Sequence, residues 1–216
     1  MIDSRFFHTM GPQTLGHILQ LTQATLHHKV DLALTINDVA PLDRAREGDM
    51  ACYHNPKYKQ DLMHTKAGFC FVKADDVKHV PPTCLALITP TPYRAFALVA
   101  HAFYPHANKN YKSSNVLIDP TATIGTNCII EANVVIQDQA VLEKDVMVGA
   151  NAVIGKGVII GEGTIIEAGA VLTHSIVGKN CVIGTGARLG QAGFGFYMDE
   201  KGHVTVPQLG RVLIGD

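Results

Sequence analysis

The stretch that decides the fold runs from Ile118 to Leu172. In steps of six it reads IDPTAT IGTNCI IEANVV IQDQAV LEKDVM VGANAV IGKGVI IGEGTI IEAGAV L. An aliphatic residue opens every step: Ile118, Ile124, Ile130, Ile136, Leu142, Val148, Ile154, Ile160, Ile166 and Leu172. After one skipped residue the series resumes at Val177, Ile183 and Leu189. Ile, Leu and Val fill roughly a quarter of ordinary sequence, so an unbroken series of this length is not accidental. Gly follows the aliphatic residue at 125, 149, 155, 161, 178, 184 and 190, and a small or β-branched residue such as Ala122, Val134, Ala140 or Ala152 comes four places after it. A stacked coil needs this arrangement. One large aliphatic fills the axis in each layer, a small residue shares the interior, and Gly lets the chain turn tightly. A helix would repeat every 3.6 residues, and an antiparallel sheet would turn every eight to twelve or so. Residues from Val116 to the C-terminus are therefore expected to form a parallel β-solenoid of six-residue repeats.

Upstream the grammar differs. Pro12 to Gln23 carries apolar residues at helical spacing, with Pro12 near the first turn. Runs of strand length follow at Leu32–Ile36, Phe69–Val72 and Leu85–Ile88. Asn55-Pro56 opens a short helix through Leu62, with Asn55 as its N-cap. Thr91-Pro92 opens another, striped by Phe96, Val99, Ala100 and Phe103, which ends before Pro105. Residues 1–104 thus read as an α/β domain, 105–115 as a linker, and 116–216 as the solenoid, with an excursion at 191–209 where the hexads stop. That excursion holds the run Gly193, Phe194, Gly195, Phe196. Two glycines around Phe194 would hold its ring outward, or the rings would pack on the neighbouring coil.

The 216 residues carry 18 Lys and Arg against 19 Asp and Glu, which gives no basic patch for nucleic acid or a membrane surface. No apolar run reaches the roughly 18 residues of a transmembrane helix, and MIDSRFFHTMGPQTLG is not a secretory signal. A cytoplasmic protein is expected. The five cysteines (Cys52, Cys70, Cys84, Cys128, Cys181) form no CxxC pair, so reduced thiols are expected and neither a zinc site nor a disulfide framework. Eleven histidines include no HxH or HxxxH pair, and His27-His28 reads as a solvated loop. No metal and no cofactor are expected.

Three segments carry a resemblance. GQAGFGFYMDEKGHVTVPQLGRVLIGD, from Gly190 to Asp216, resembles the UDP-3-O-acylglucosamine N-acyltransferases of lipid A biosynthesis. CYHNPKY, from Cys52 to Tyr58, is similar to that family's nucleotide-binding segment, and TPYRAFALVAHAFYP, from Thr91 to Pro105, to its helix before the solenoid. The pattern of aliphatic-Gly hexads also resembles the hexapeptide-repeat proteins at large. That resemblance alone implies a triangular, left-handed coil of three hexads per turn, a hand opposite to ordinary crossovers.

The resemblance implies transfer of a 3-hydroxyacyl group from acyl carrier protein to the 2-amino group of UDP-3-O-acylglucosamine, by a homotrimer with sites between adjacent solenoids. It places Asn55 against the uracil edge and Tyr58 against its face, and Phe194 and Gly195 near the sugar and acyl groups. Gln208 matches a family segment without an assigned role. The family commonly has a second aromatic three residues before the Asn. Here that position is Cys52, so stacking is one-sided or Tyr53 takes over. Where relatives often carry Asp before the first Gly of the loop, this chain has Ala192, which removes any carboxylate role there. The reaction needs a general base and a backbone oxyanion donor. The family's base is a His in an Ile-Ala-His-Asn type segment, expected beyond residue 216. His174, at the skipped residue, is the weak candidate inside the chain, with its side chain expected to point outward from a corner. His203 in the excursion reads as solvated or close to substrate.

Solenoids end in a cap over the last coil, whereas Asp216 leaves a repeat in mid-coil, so the expectation is a chain without the C-terminal part and without N-acyltransferase activity. The alternative reading is a non-catalytic fragment that binds sugar nucleotide or only trimerises. A hexapeptide carbonic anhydrase would need three His ligands for zinc, and a sugar-1-phosphate nucleotidyltransferase a Gly-rich nucleotide loop. Neither is visible. The O-acyltransferase of the same pathway begins almost directly with repeats.

Overall fold

The computed structural model describes residues 2–27, 29–107, 117–200 and 202–216. His28, most of the expected linker (108–115) and Val116 lie outside the described residues. The described residues gather into two compact units. One is built from Thr9–His106 and Phe194–Pro207, the other from Ile2–His8, Ala107–Gly193 and Gln208–Asp216.

The first unit is an α/β domain. Its elements run β1 (Gln13–Thr14), α1 (Leu15–Thr22), β2 (Thr25–Leu26), β3 (Thr35–Ile36), β4 (Asp38–Val39), β5 (Asp49–Cys52), α2 (Lys59–His64), β6 (Phe69–Val72), β7 (Leu85–Ile88) and α3 (Pro92–Phe103). The sheet order is β2-β7-β6-β5-β4, with β4 to β7 parallel and β2 antiparallel at the edge. All four residues of β6 are buried, as a central parallel strand covered on both faces requires. One layer of core gathers Leu42, Ala51, Tyr53, Leu62, Cys70, Val72 and Cys84. α3 packs against β4, β5, β6 and α1, and it buries Val99, Ala100 and Phe103.

Two local expectations are corrected. α1 starts at Leu15 and not at Pro12, because Thr14 is the cap and its hydroxyl accepts the His17 N–H at 3.3 Å. Leu32–Ile36 is not one strand. Only Thr35 and Ile36 pair with β1, while the carbonyls of Leu32 and Leu34 accept the Gly16 and Leu15 N–H groups at 2.9 and 2.8 Å. That backbone caps α1 instead of joining a ladder.

The second unit is a parallel β-helix. From Ile124 to Leu189 each axis aliphatic ends a short strand, from Thr123–Ile124 through Val135–Ile136 and Val153–Ile154 to Arg188–Leu189. Strands pair with the third one along, as Val135 with Val153 and Val153 with Val171, so three hexads make a turn and three parallel sheets form the sides. Ile136, Leu142, Val148, Ile154, Ile160, Ile166 and Leu172 are at most 1% exposed, with Ala140, Val146, Ala152 and Ala170 filling the small interior places.

Most of the glycines after the aliphatic residues do not supply the turn, Gly190 with φ 72° being the exception. A Cβ on Gly155 would lie 2.8 Å from the Leu172 carbonyl oxygen, and one on Gly149 2.6 Å from the Ala168 nitrogen, so these positions are bare because successive coils touch there. Where that place holds Glu or Gln, the side chain bonds the neighbouring coil instead. Glu131 accepts from Ala150 N–H at 2.8 Å, Gln137 from Lys156 N–H at 3.1 Å, and Glu167 from Thr185 N–H at 2.7 Å. The turn sits two residues further on, at Asn127, Asn133, Gln139, Asp145, Asn151, Gly157, Gly163, Gly169, Asn180 and Gly186, all with φ between 54° and 69°. Gly and Asn tolerate that left-handed backbone best.

The N-terminal segment belongs to this unit. Phe6 and Phe7 are 5% and 3% exposed, and the Asp3 carboxylate pairs with Arg5 at 2.7 Å and Arg211 at 3.3 Å. Nothing in the sequence pattern signalled this.

Candidate functional site

In a parallel α/β sheet, ligands settle beyond the carboxyl ends of the strands. β5 ends at Cys52, and the chain continues through Tyr53, His54 and Asn55 into a 3₁₀ turn at Pro56–Tyr58. Asn55 caps that turn, its Oδ1 accepting the Lys57 N–H at 3.0 Å. The cap fixes the loop and leaves Asn55 exposed beside Tyr58, whose residue surface is 45% exposed. The cap role and a ligand role are compatible here, because the carboxamide nitrogen is not the capping atom.

Tyr53 does not take over as a stacking ring. It is 5% exposed within the core, where burial raises its phenol above the usual range. The His54 ring instead stacks on Tyr93, with centroids 4.3 Å apart and planes 24° from parallel. Tyr93 opens α3 just after β7, so this stack joins the loops that follow β5 and β7 across the end of β6, the strand between them. The Cys52 thiol lies 3.8 Å from His54 Nδ1. Burial pushes that thiol up and the His54 imidazole down, so both are neutral near pH 7. Sequence reasoning missed His54 and Tyr93. The adjoining segments were both legible, but a contact between them was not.

The excursion is a β-hairpin of Phe196–Asp199 and Gly202–Thr205. It packs along α3. Asp199 pairs with Arg94 at 3.1 Å, at an angle short of a hydrogen bond, and His101 Nε2 meets the Thr205 carbonyl at 2.6 Å. Phe194 is held fully outward at 101% exposure, as the flanking glycines suggested, while Phe196 packs edge-on against His203 at 4.9 Å. The hairpin puts Asp199 at the Tyr93 end of α3 and leaves Gly195, through its bond from Val206 N–H, at the His101 end. Seven residues of helix separate those ends, roughly 10 Å at 1.5 Å per residue. Phe194 and Gly195 thus lie toward the His101 end of α3, and the His54–Tyr93 stack next to Asn55 toward its other end.

His174 is not an outward corner. Its backbone is left-handed at φ 41°, its ring is half-buried, and Nδ1 lies 3.2 Å from the Gly190 carbonyl. It lies flat against Phe7 and edge-on to Phe6 at 5.7 Å. A ring packed in this way is poorly placed to take a proton from a substrate amine. No group of three or more metal-binding side chains exists among the described residues. An open cleft of about 610 Å³ lies at the opposite, amino ends of β6 and β7, lined by Phe69, Val77, Val80, Cys84 and Leu85, and none of the site residues above reaches it.

The family model described as UDP-3-O-(3-hydroxymyristoyl) glucosamine N-acyltransferase, LpxD, matches residues 33–102, the segment that carries the Asn55 loop and most of α3. Along its whole length the chain is also matched by curated proteins that bear the name UDP-3-O-acylglucosamine N-acyltransferase. It is homologous to the UDP-3-O-acylglucosamine N-acyltransferases.

Enzyme 2 of that name from Legionella pneumophila strain Paris is 45% identical over 217 residues, covering 100% of this chain and 63% of the relative. The N-acyltransferase of Granulibacter bethesdensis is 49% identical over 214 residues, 98% of this chain and 62% of its own. That of Methylobacterium sp. strain 4-46 is 47% identical over 223 residues, 100% and 63%. This chain thus spans a little under two thirds of the N-acyltransferases it matches. A second model, the GMPPB C-terminal domain, matches residues 112–206 and so covers most of the repeat. No helix among the described residues is long and apolar enough to cross a membrane.

Proposed function

We propose that this chain supplies the nucleotide-binding domain and coil body of an N-acyltransferase of lipid A biosynthesis. The enzyme would move a 3-hydroxyacyl group from acyl carrier protein to the 2-amino group of UDP-3-O-acylglucosamine, in the cytoplasm and as a homotrimer. What carries this reading is the end-to-end similarity to proteins of that name. The Asn55-capped loop beyond the carboxyl end of β5 supports the nucleotide part of it. In this reading Asn55 pairs with the uracil edge through its free donors, Tyr58 covers one face, and the exposed Phe194 at Gly195 meets the sugar or acyl group.

The 216 residues alone bind the nucleotide and do not turn over, because His174 is packed against Phe7 and Gly190. His203 sits on the exposed hairpin against Phe196. Two measurements test this. Calorimetric titration of UDP-N-acetylglucosamine into the purified chain is expected to saturate and to weaken on Tyr58→Ala. A flat titration, or one indifferent to Tyr58→Ala, rejects the nucleotide site. Acyl transfer by the same chain, lost on His174→Ala, would make His174 the base and overturn the second half.

A further inference from the structure

Cys52 leaves the base-binding loop without the second aromatic ring expected there, and the buried Tyr53 cannot swing out without opening the core. We propose that the His54 imidazole, backed by the Tyr93 ring, forms the second wall of the base site. This rests on the reading that the Asn55 loop binds a uridine nucleotide.

Position comes first. His54 adjoins Asn55 on the loop beyond β5, so a base paired with Asn55 would sit against the segment that carries its ring. Support comes next. One face of the imidazole rests on Tyr93 at 4.3 Å, and the residue is otherwise exposed. Tyr93 is itself half-buried in the first turn of α3, beside Arg94, which the hairpin holds through Asp199. A ring fixed from behind loses little freedom when a base arrives. Charge agrees as well. Burial keeps His54 neutral near pH 7, so stacking a base on it strands no charge away from water.

Such a wall makes Tyr93 a positioning residue and ties base recognition to the end of α3. It favours a flat pyrimidine or purine ring over the sugar and phosphates, since stacking reads the base face and little else.

The test is calorimetric titration of UDP into the full 216-residue chain, with variants that remove or keep a ring at each position. His54→Gln keeps a polar group without an aromatic face, and it is expected to raise Kd about tenfold, the usual effect of losing one stacking partner. Tyr93→Leu is expected to do the same, while His54→Phe stays within about twofold of the parent chain. Cys52→Phe in the His54→Gln background is expected to restore affinity by returning a ring to the wall. The His54 Hε1 proton resonance should shift as UDP saturates the parent chain, a ring-current signature that a merely structural histidine would not give. If Tyr58→Ala weakens UDP while His54→Gln and Tyr93→Leu do not, the second wall is refuted and the nucleotide reading stands. If none of these variants changes UDP binding, both fall.

Discussion

The His174 ring lies flat on Phe7, their centroids 5.0 Å apart and their planes 3° from parallel. With the Phe6 edge on the same ring and the Asp3–Arg211 pair, this contact joins the N-terminal segment to the coil, and it makes docking sensitive to pH. Burial holds the His174 imidazole below its usual value of 6.5, with the bond to Gly190 opposing in part. The folded state therefore binds fewer protons than the unfolded one, and stability is lost as pH falls through about 6.5 toward the lowered value. Asp3, held below the usual carboxylate range by the Arg5 guanidinium, stays ionised throughout that window. The protection of amides in residues 2–8 relative to their intrinsic exchange rate is expected to fall between about pH 7.5 and 5.5, and His174→Phe to remove the change. Protection independent of pH in the parent chain would contradict this.

Ser175 fills a small interior place of the coil, 0% exposed, and its Oγ has no hydrogen-bond partner among the described residues. Ser175→Ala removes a desolvated hydroxyl and is expected to raise stability by about 1 kcal/mol. Thr164 offers the contrast. It is equally buried, but its hydroxyl donates to Gly178 O at 2.8 Å and accepts from Cys181 N–H at 3.0 Å. Thr164→Val is expected to cost roughly 1–3 kcal/mol by stranding a backbone N–H. Urea unfolding of the two variants should move in opposite directions.

Gly149 and Asn151 lie in one corner and answer to different constraints. Gly149 is bare because the next coil passes against it, so Gly149→Ala is expected to cost about 1–3 kcal/mol by overpacking. Asn151 holds φ at 60° and its Oδ1 accepts from Asn133 Nδ2 at 3.3 Å on the exposed surface, so Asn151→Ala is expected to lose about 1 kcal/mol more than Asn151→Gly, which loses only that bond. Equal effects of Ala at both positions, with Gly no better than Ala at 151, would refute the assignment of the turn to Asn151.

Arg94 and Asp199 pair with side chains only 21% and 23% exposed, which makes them a better anchor than an open surface pair. Asp199→Asn is expected to speed amide exchange in 196–199 and 202–205 by several-fold and to leave the solenoid strands unchanged. No change in the hairpin would mean that the Arg94–Asp199 pair does not anchor it.

The coil was readable from sequence because each axis residue ends a short strand, so a period of six in the chain is also the period of the fold. The α/β domain was readable where strands are apolar runs, as at Phe69–Val72 and Leu85–Ile88. It was not readable at Asp49–Cys52, which is too short and mixed to declare itself, although it carries the site loop. The Asn55 cap followed from local chemistry and was found as expected.

Local rules could not reach contacts between distant segments. The sequence determined the six-residue unit of the coil and the Asn-Pro-Lys-Tyr loop, because periodicity and capping act within a few residues, while the pairing of Val135 with Val153 and Val153 with Val171 decided three hexads per turn. Tertiary structure alone decided that Tyr53 is core and His54 stacks on Tyr93, that the hairpin lies along α3, and that Phe7 covers His174. Each of these depends on which surfaces pack together once the chain has closed its long loops, and no repeat or cap in the sequence encodes that choice.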